Sequence, residues 1–216
     1  MRRHTFKPIG LVWPLYAVVL VLAGLAFAGY ASAASVPREA LQHRAELIRN
    51  ARAVWGLDAP VSTFAAQIHQ ESRWQSAAKS PVGAGGIAQF MPTTASWIGQ
   101  VYPELANPDP FNPSWGLRAL VTYDLHIWDR TSAATACDRM AKTLSGYNGG
   151  PGWVTRDERL AKASGADPAR WFDQVERFNA GRSAAAFREN RGYPRRILLE
   201  LEPAYVAAGW GGGSCA

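Results

Sequence analysis

Glu71 is the residue of this 216-residue sequence best placed to move a proton. It closes a helix-forming stretch in which Phe64, Ile68 and Glu71 stand at i, i+4 and i+7, so the carboxyl leaves on the apolar stripe of that helix. A carboxyl held among apolar groups resists ionisation, and a glutamic acid kept protonated near neutral pH can donate to a leaving group. The alternative is a helix that frays before Glu71 and leaves the side chain in water. Further along, Ser80-Pro81-Val82-Gly83-Ala84-Gly85-Gly86 supplies backbone without bulk and is followed by Gln89, whose amide both donates and accepts. Such a loop lets a large polar ligand come close to the main chain, although a Gly-rich turn between two helices needs no ligand.

These groups need elements to hold them. Leu41, Ala45, Ile48 and Val54 recur among charges and predict an amphipathic helix over 38–54, stopped by Gly56. Asp58-Ala59-Pro60 reads as an acidic cap with proline in the first turn, opening a helix to about residue 74. A helix resumes over 91–97, turn signals fill 103–113, and apolar periodicity predicts helices over 115–127 and 133–144. Gly146-Tyr147-Asn148-Gly149-Gly150-Pro151-Gly152 is expected to break the chain, with further helices over 171–178 and 192–205. Nothing alternates apolar and polar residues long enough to suggest a sheet, so the expected fold class is mainly α.

The N-terminus is of another kind. Arg2, Arg3 and Lys7 precede an uncharged stretch that ends near Ala31-Ser32-Ala33, a small-x-small sequence of the kind cut after export. Residues 1–34 are therefore expected to be a signal peptide or a signal-anchor segment, with 9–34 as the candidate membrane attachment, and 35–216 the functional domain. Either version places the body outside the cytoplasm, in the periplasm or cell envelope, with the anchored version held on the inner membrane. The formal charge of +6 falls to +3 without the three leader cations, which gives nucleic acid little to bind. Cys137 and Cys215 both follow the leader, so an oxidising compartment predicts a disulfide between them, with two free thiols as the alternative. His4, His43, His69 and His126 show no ligand spacing with each other or with cysteine, so neither a metal nor another cofactor is expected.

Glu71-Ser72, then Ser80-x-x-Gly83-Ala84-x-Gly86-x-x-Gln89-x-Met91-Pro92-x-Thr94-Ala95, resembles the first two signature motifs of the soluble lytic transglycosylase catalytic domain, a family of the goose-type-lysozyme-like superfamily. Tyr147-Asn148 followed by glycines is similar to its third motif, and Asn190-Arg191-Gly192-Tyr193 with Ile197-Leu198 to its fourth. Four ordered motifs in one domain are specific where any one would be weak. The resemblance implies a single lysozyme-like domain with a glycan-binding cleft. It also implies cleavage of the bond between N-acetylmuramic acid and N-acetylglucosamine in peptidoglycan, leaving 1,6-anhydromuramyl ends. Glu71 would be the sole acid/base, Gln89 and Asn148 would bind the saccharide, Tyr147 would line the cleft, Tyr193 would orient Glu71, and Ser72 and Ser80 would support the substrate-binding groups.

Two departures touch the cleft wall and no proton-transfer group: Ile87-Ala88 stands where the family commonly has Leu-Met, and Gly146 replaces an alanine. Glu104, Asp109 and Asp124 are expected to be caps or surface charges, and Trp74 and Trp153, beside motifs, to be the tryptophans nearest the cleft. The competing expectations are a hydrolytic lysozyme acting as a phage endolysin, which would usually use a second carboxylate, and a murein-binding module without catalysis. The minimal architecture leans towards phage lysis or envelope-penetrating machinery, ahead of wall recycling.

Overall fold

The computed structural model describes residues 35–215, and the expectations for 1–34 lie outside the described residues. Helix α1 (Arg38–Trp55) buries Ala40, His43, Leu47 and Ala51, one stripe at helical spacing, and ends at Gly56 with φ 87°. Helix α2 (Val61–Ser72) is buried on every side from Val61 to Ile68, as a helix at the centre of a domain must be. It packs on α1 and on the C-terminal helical segments. Helix α3 (Pro92–Val101) and helix α4 (Pro113–Trp128) both begin with proline, which has no first-turn N–H to leave unpaired. Asn112 caps α4 by accepting from the Ser114 N–H.

Helix α5 (Ala136–Gly149) starts with a reciprocal cap, Thr135 accepting the Asp138 N–H while its hydroxyl donates to Asp138 Oδ2 at 2.7 Å. Here the expected break is overturned: Gly146, Tyr147, Asn148 and Gly149 are helical, and the chain turns only at Gly150, φ 92°. The glycines inside α5 serve close packing. A Cβ on Gly146 would lie 3.1 Å from Ile127, and one on Gly149 2.7 Å from the Asn190 amide. Helix α6 (Pro151–Ala163) follows, unsuspected from the sequence, with Pro151 in its first turn. The expected helix over 171–178 reduces to a single 3-10 turn at Val175–Arg177. Helix α7 (Ala184–Arg195) begins earlier than expected, tolerates Pro194, and runs through a π-helical segment (Arg196–Leu201) into helix α8 (Glu202–Ala207). The fold is mainly α, and only isolated bridges, Lys79 with Gly85 and Gly85 with Phe90, occur among the described residues.

Buried charges tie the helices. Asp157 of α6, fully buried, accepts from both Arg182 and Arg191, and Lys142 of α5 meets Glu158 at 2.7 Å. The C-terminal tail is also docked. Glu202 is buried and its carboxylate accepts from the Thr63 hydroxyl and from the Ser214 and Cys215 N–H groups. Gly213 lies so close that a Cβ would come 2.4 Å from Glu202 Oε1. The tail carbonyls of Gly211 and Gly212 accept from Ser62 at the start of α2. The Cys137–Cys215 disulfide then fastens the tail to the start of α5, across 78 residues of chain. Closing a loop of that length limits the unfolded chain by up to about 4 kcal/mol. Cys137→Ser is therefore expected to lower the unfolding free energy by about 2–4 kcal/mol in urea titrations, and a reductant to lower the wild type to the same value. Superimposable wild-type curves with and without reductant would contradict this.

Candidate active site

Helix α2 stops one residue after Glu71 because Arg73 and Trp74 both turn into the left-handed region, φ 52° and 69°. That leaves Glu71 in the last helical turn, half-buried on the floor of a cleft of about 250 Å³. The carboxyl leaves on the apolar side as expected, since Phe64 and Ile68 are fully buried. Burial pushes the Glu71 carboxyl up to about 8, with the nearby Glu189 charge adding to the rise, although the hydrogen bond donated by the Tyr193 hydroxyl to Glu71 Oε1 opposes it. The phenols of Tyr147 and Tyr193 are held well above the usual tyrosine range by burial and by the Glu71 charge, so both are neutral donors.

The loop after α2 forms the next wall. Ser80 Oγ accepts the Ala84 N–H at 2.9 Å, and Gly85 and Phe90 exchange two backbone hydrogen bonds of 3.0 Å. Ser80, Ala84 and Gln89 line the cleft. Gln89, with φ 49°, donates its Nε2 to the Ala78 and Gly86 carbonyls at 3.1 and 2.8 Å, which reserves the amide oxygen as an acceptor for a ligand hydroxyl. Two of the loop glycines, Gly85 and Gly86, are required by protein packing, whereas a Cβ on Gly83 would meet nothing within 4 Å. A Cβ on Gly86, φ 78°, would stand 1.6 Å from the Pro110 carbonyl oxygen, and one on Gly85 2.8 Å from the Phe111 ring. Their smallness lets the turn before α4 close over the loop.

Tyr147 and Asn148, carried by the helical end of α5, complete the cleft. The Tyr147 ring packs against Phe90 and Tyr123, with centroids 5.6 and 5.4 Å away, and its hydroxyl donates to the Ala88 carbonyl at 2.7 Å. Asn148 Oδ1 accepts from Asn190 Nδ2 at 3.0 Å, so its own amide nitrogen is free to donate into the cleft. Asn190 is itself held by Ser145 and Arg191, which explains its burial.

Two of the expected residues stand behind the wall. Ser72 is buried and donates to the Ile87 carbonyl at 2.7 Å, pinning the Gly-rich loop to α2 instead of lining the cleft. Tyr193 is 5% exposed and reaches Glu71 from the core side. Of the tryptophans, Trp74 is not in the cleft: it is 1% exposed, donates to the Tyr205 hydroxyl at 2.7 Å, and packs on Trp210 in the core. Trp153 is half-buried and borders an adjoining cavity.

The carboxylates also need correction. Glu104 meets Arg118 at 3.8 Å on the surface and Asp109 caps the Phe111 and Asn112 N–H groups, as expected. Asp124 is fully buried instead, facing Gln67 of α2 at 3.4 Å, and burial together with the Glu71 charge pushes its carboxyl well above the usual range. Sequence reasoning missed it because the stripe of α4 that carries Leu117, Leu120 and Val121 is wide enough to bury a polar neighbour. It also missed Glu189, an exposed acid that lines the cleft with Glu71. The available signal was its position directly before the Asn190-Arg191-Gly192-Tyr193 motif.

The described residues hold no group of three or more His, Cys, Asp or Glu suited to a metal. What the cleft offers is one protonated carboxyl, neutral phenols, and amide groups on its lining. Comparison with known proteins points the same way. Residues 47–169 match the transglycosylase SLT domain family, a stretch that includes Glu71, Gln89, Tyr147 and Asn148 and ends before Tyr193. Membrane-bound lytic murein transglycosylase F of Vibrio parahaemolyticus is 32% identical over 134 residues, which cover 61% of this chain and 24% of that protein. The protein of that name from Thiobacillus denitrificans is 30% identical over 154 residues, covering 63% of this chain and 31% of its own. The chain thus spans about a quarter of the length of the curated relatives it matches. Among solved structures, the 70 kDa soluble lytic transglycosylase from Escherichia coli aligns with TM-score 0.53 and 23% identity over 77% of this chain and 25% of that one. A 70 kDa soluble lytic transglycosylase in complex with bulgecin A aligns with TM-score 0.55 and 23% identity over 82% and 26%. At that identity the likeness is one of fold, and it gives the helical domain a lysozyme-like architecture. The match over more than half of the sequence settles the family: the chain belongs to the transglycosylase SLT domain family.

Proposed function

We propose that this chain cleaves peptidoglycan glycan strands as a lytic transglycosylase, with Glu71 as its only acid/base. Protonated Glu71 gives its proton to the glycosidic oxygen between N-acetylmuramic acid and N-acetylglucosamine as the bond from that oxygen to muramyl C1 breaks. The sugar's own N-acetyl oxygen supports C1, which removes the need for a second carboxylate. Glu71, now a carboxylate, takes the proton of the muramyl C6 hydroxyl while O6 closes on C1. One bond is lost, one is formed, the carboxyl ends protonated, and no water is consumed. An intramolecular hydroxyl also avoids the entropy of capturing a separate nucleophile.

The observation that carries this reading is the Glu71 carboxyl on the cleft floor, lifted to about 8 by burial while Tyr193 donates to it, an acid at neutral pH with a partner for its anionic form. Gln89, Asn148 and Tyr147 line the same cleft, which supports reading them as saccharide-binding groups, with Ser72, Ser80 and Tyr193 supporting that wall and Glu71. The names of the curated relatives add murein as substrate and a membrane as setting. Residues 1–34 would supply export, and no helix among the described residues is long and apolar enough to cross a membrane. The second reading, hydrolysis, draws on Glu189, a carboxylate in the same cleft able to activate water.

Digestion of purified murein followed by mass analysis of the muropeptides separates the outcomes. Anhydromuramyl ends are expected in about tenfold excess over reducing ends, the ratio that corresponds to a preference of about 1.4 kcal/mol for the internal hydroxyl. Reducing ends in majority would make the chain a lysozyme with Glu189 as base, and intact murein would leave a binding module.

A further inference from the structure

One buried pair beside Glu71 takes no part in the chemistry proposed for it. Gln67 lies one turn before Glu71 on α2 and is fully buried, and Asp124 of α4, also fully buried, faces it. Gln67 Nε2 donates to Asp124 Oδ1 at 3.4 Å. The remaining two atoms of the pair, Gln67 Oε1 and Asp124 Oδ2, have no hydrogen-bond partner among the described residues. With Asp124 ionised both are acceptors, and a buried acceptor without a donor is costly. A proton on Oδ2 satisfies both at once: Oδ2–H donates to Oε1 while Nε2–H donates to Oδ1, the two-point pairing of a carboxylic acid with an amide. Thr122 Oγ1 is also unpaired, but Thr122 stands two positions before Asp124 and leaves α4 on another side.

The surroundings favour that proton. Burial first and then the Glu71 charge disfavour the Asp124 anion, against the single hydrogen bond from Gln67. Of the charged groups on the elements packed against α4, Glu71 alone among the described residues bears on that carboxyl. The phenols of Tyr123 on α4, Tyr147 on α5 and Tyr193 on α7 stand close enough for an Asp124 charge to raise them. Glu71 in turn faces Tyr193 and Glu189 of α7. Residues four apart on a helix are neighbours, so an unengaged Gln67 amide has the Glu71 carboxyl within reach. An N–H donated there would favour the carboxylate and draw the proton off the acid.

We propose that Asp124 is a positioning residue for Glu71: as a neutral carboxylic acid it engages both ends of the Gln67 amide and so withholds that amide from the Glu71 carboxyl. The inference deepens the proposed function and rests on it for the role of Glu71, while the pairing of Asp124 with Gln67 stands on the two unpartnered atoms. Asp124 touches no substrate. Its effect passes through Gln67, and the property it sets is the pH up to which Glu71 keeps its proton.

The test is the pH profile of kcat/KM on murein strands for the full chain and three variants. Asp124→Asn keeps the two-point pairing, its amide donating to Gln67 Oε1 and accepting from Nε2, and the alkaline limb is expected at the wild-type position. Asp124→Leu keeps the branched shape but frees the Gln67 amide, and the limb is expected about one pH unit lower, the worth of one hydrogen bond to a charged group. Adding Gln67→Leu to Asp124→Leu removes the donor and should return the limb. A merely structural pair would lower the plateau and leave every limb in place. A limb displaced in Asp124→Asn means that Asp124 acts by its charge. One unmoved in Asp124→Leu, or still low in the double variant, means that Gln67 was not restrained, and each of these results overturns the proposal. Carbon-13 titration of the side-chain carboxyls, with the Asp124 signal identified by its loss in Asp124→Asn, needs neither turnover nor the leucine variants. Asp124 is expected to remain an acid through the pH at which Glu71 ionises, and a carboxylate there at neutral pH also overturns the proposal. If the wild type cleaves no strand, the catalytic reading fails on its own, and the Glu71 carbon-13 titration replaces the limb in the same comparison.

Discussion

Glu71→Gln is expected to abolish strand cleavage, lowering the rate by about three to four orders of magnitude, while making the folded protein more stable at neutral and alkaline pH. The loss follows from the proposed double use of one carboxyl: glutamine can neither give a proton to the leaving sugar nor take one from the C6 hydroxyl. The gain follows from linkage. The Glu71 carboxyl titrates near 4.5 when exposed and near 8 when folded. Below about pH 4.5 it is protonated in both states and costs nothing electrostatically. Between the two values the unfolded chain releases a proton that the folded chain keeps, so the folded state loses ground, and above about 8 the loss is complete. Its ceiling is about 5 kcal/mol. Denaturant titrations of both proteins from pH 4 to pH 9 should therefore diverge as pH rises, with glutamine on the stable side. An inactive variant whose stability tracked the wild type at every pH would mean that Glu71 titrates as an ordinary surface acid.

How far the sequence reveals this site depends on the range of the contact involved. Glu71 is legible because its exposure is decided within α2, by Phe64 and Ile68 one and two turns away. Asn148 and Tyr147 are legible as residues but not as structure: a run of glycines predicts a break, and only the approach of Ile127 and Asn190 makes those glycines part of α5. Gly85 and Gly86 mislead in the same way, since the groups that exclude a side chain there, Pro110 and Phe111, come some 25 residues later. Asp124 and Trp74 were assigned the wrong environments for a related reason. Periodicity locates an apolar stripe without telling how deep the stripe lies, and both residues sit where α2 is covered on all sides. The tail is legible only through Cys215, whose pairing with Cys137 the sequence predicts, whereas the hold of Glu202 on the Ser214 and Cys215 N–H groups is not. The family match ends at residue 169, so Tyr193, Arg182 and the tail all complete the molecule from outside it.

Tyr193 is the residue beyond that match with the most direct hold on the chemistry, and Tyr193→Phe should separate its two effects. The hydroxyl donates to Glu71 Oε1, which favours the carboxylate and opposes the rise caused by burial. With the hydroxyl gone, desolvation and Glu189 act unopposed, so the Glu71 carboxyl should titrate above its present value of about 8. In the proposed mechanism cleavage begins from the protonated acid, so its rate is expected to fall as pH rises through that value. The alkaline limb of kcat/KM is accordingly expected to move to higher pH in the variant. The plateau should nevertheless drop by about ten- to a hundredfold, because the carboxylate formed midway loses a charge-assisted hydrogen bond and the side chain loses the group that aims it. A purely structural role for Tyr193 would lower the plateau and leave the limb in place. A limb displaced to lower pH would show that the hydroxyl holds the proton on Glu71 instead of drawing it off.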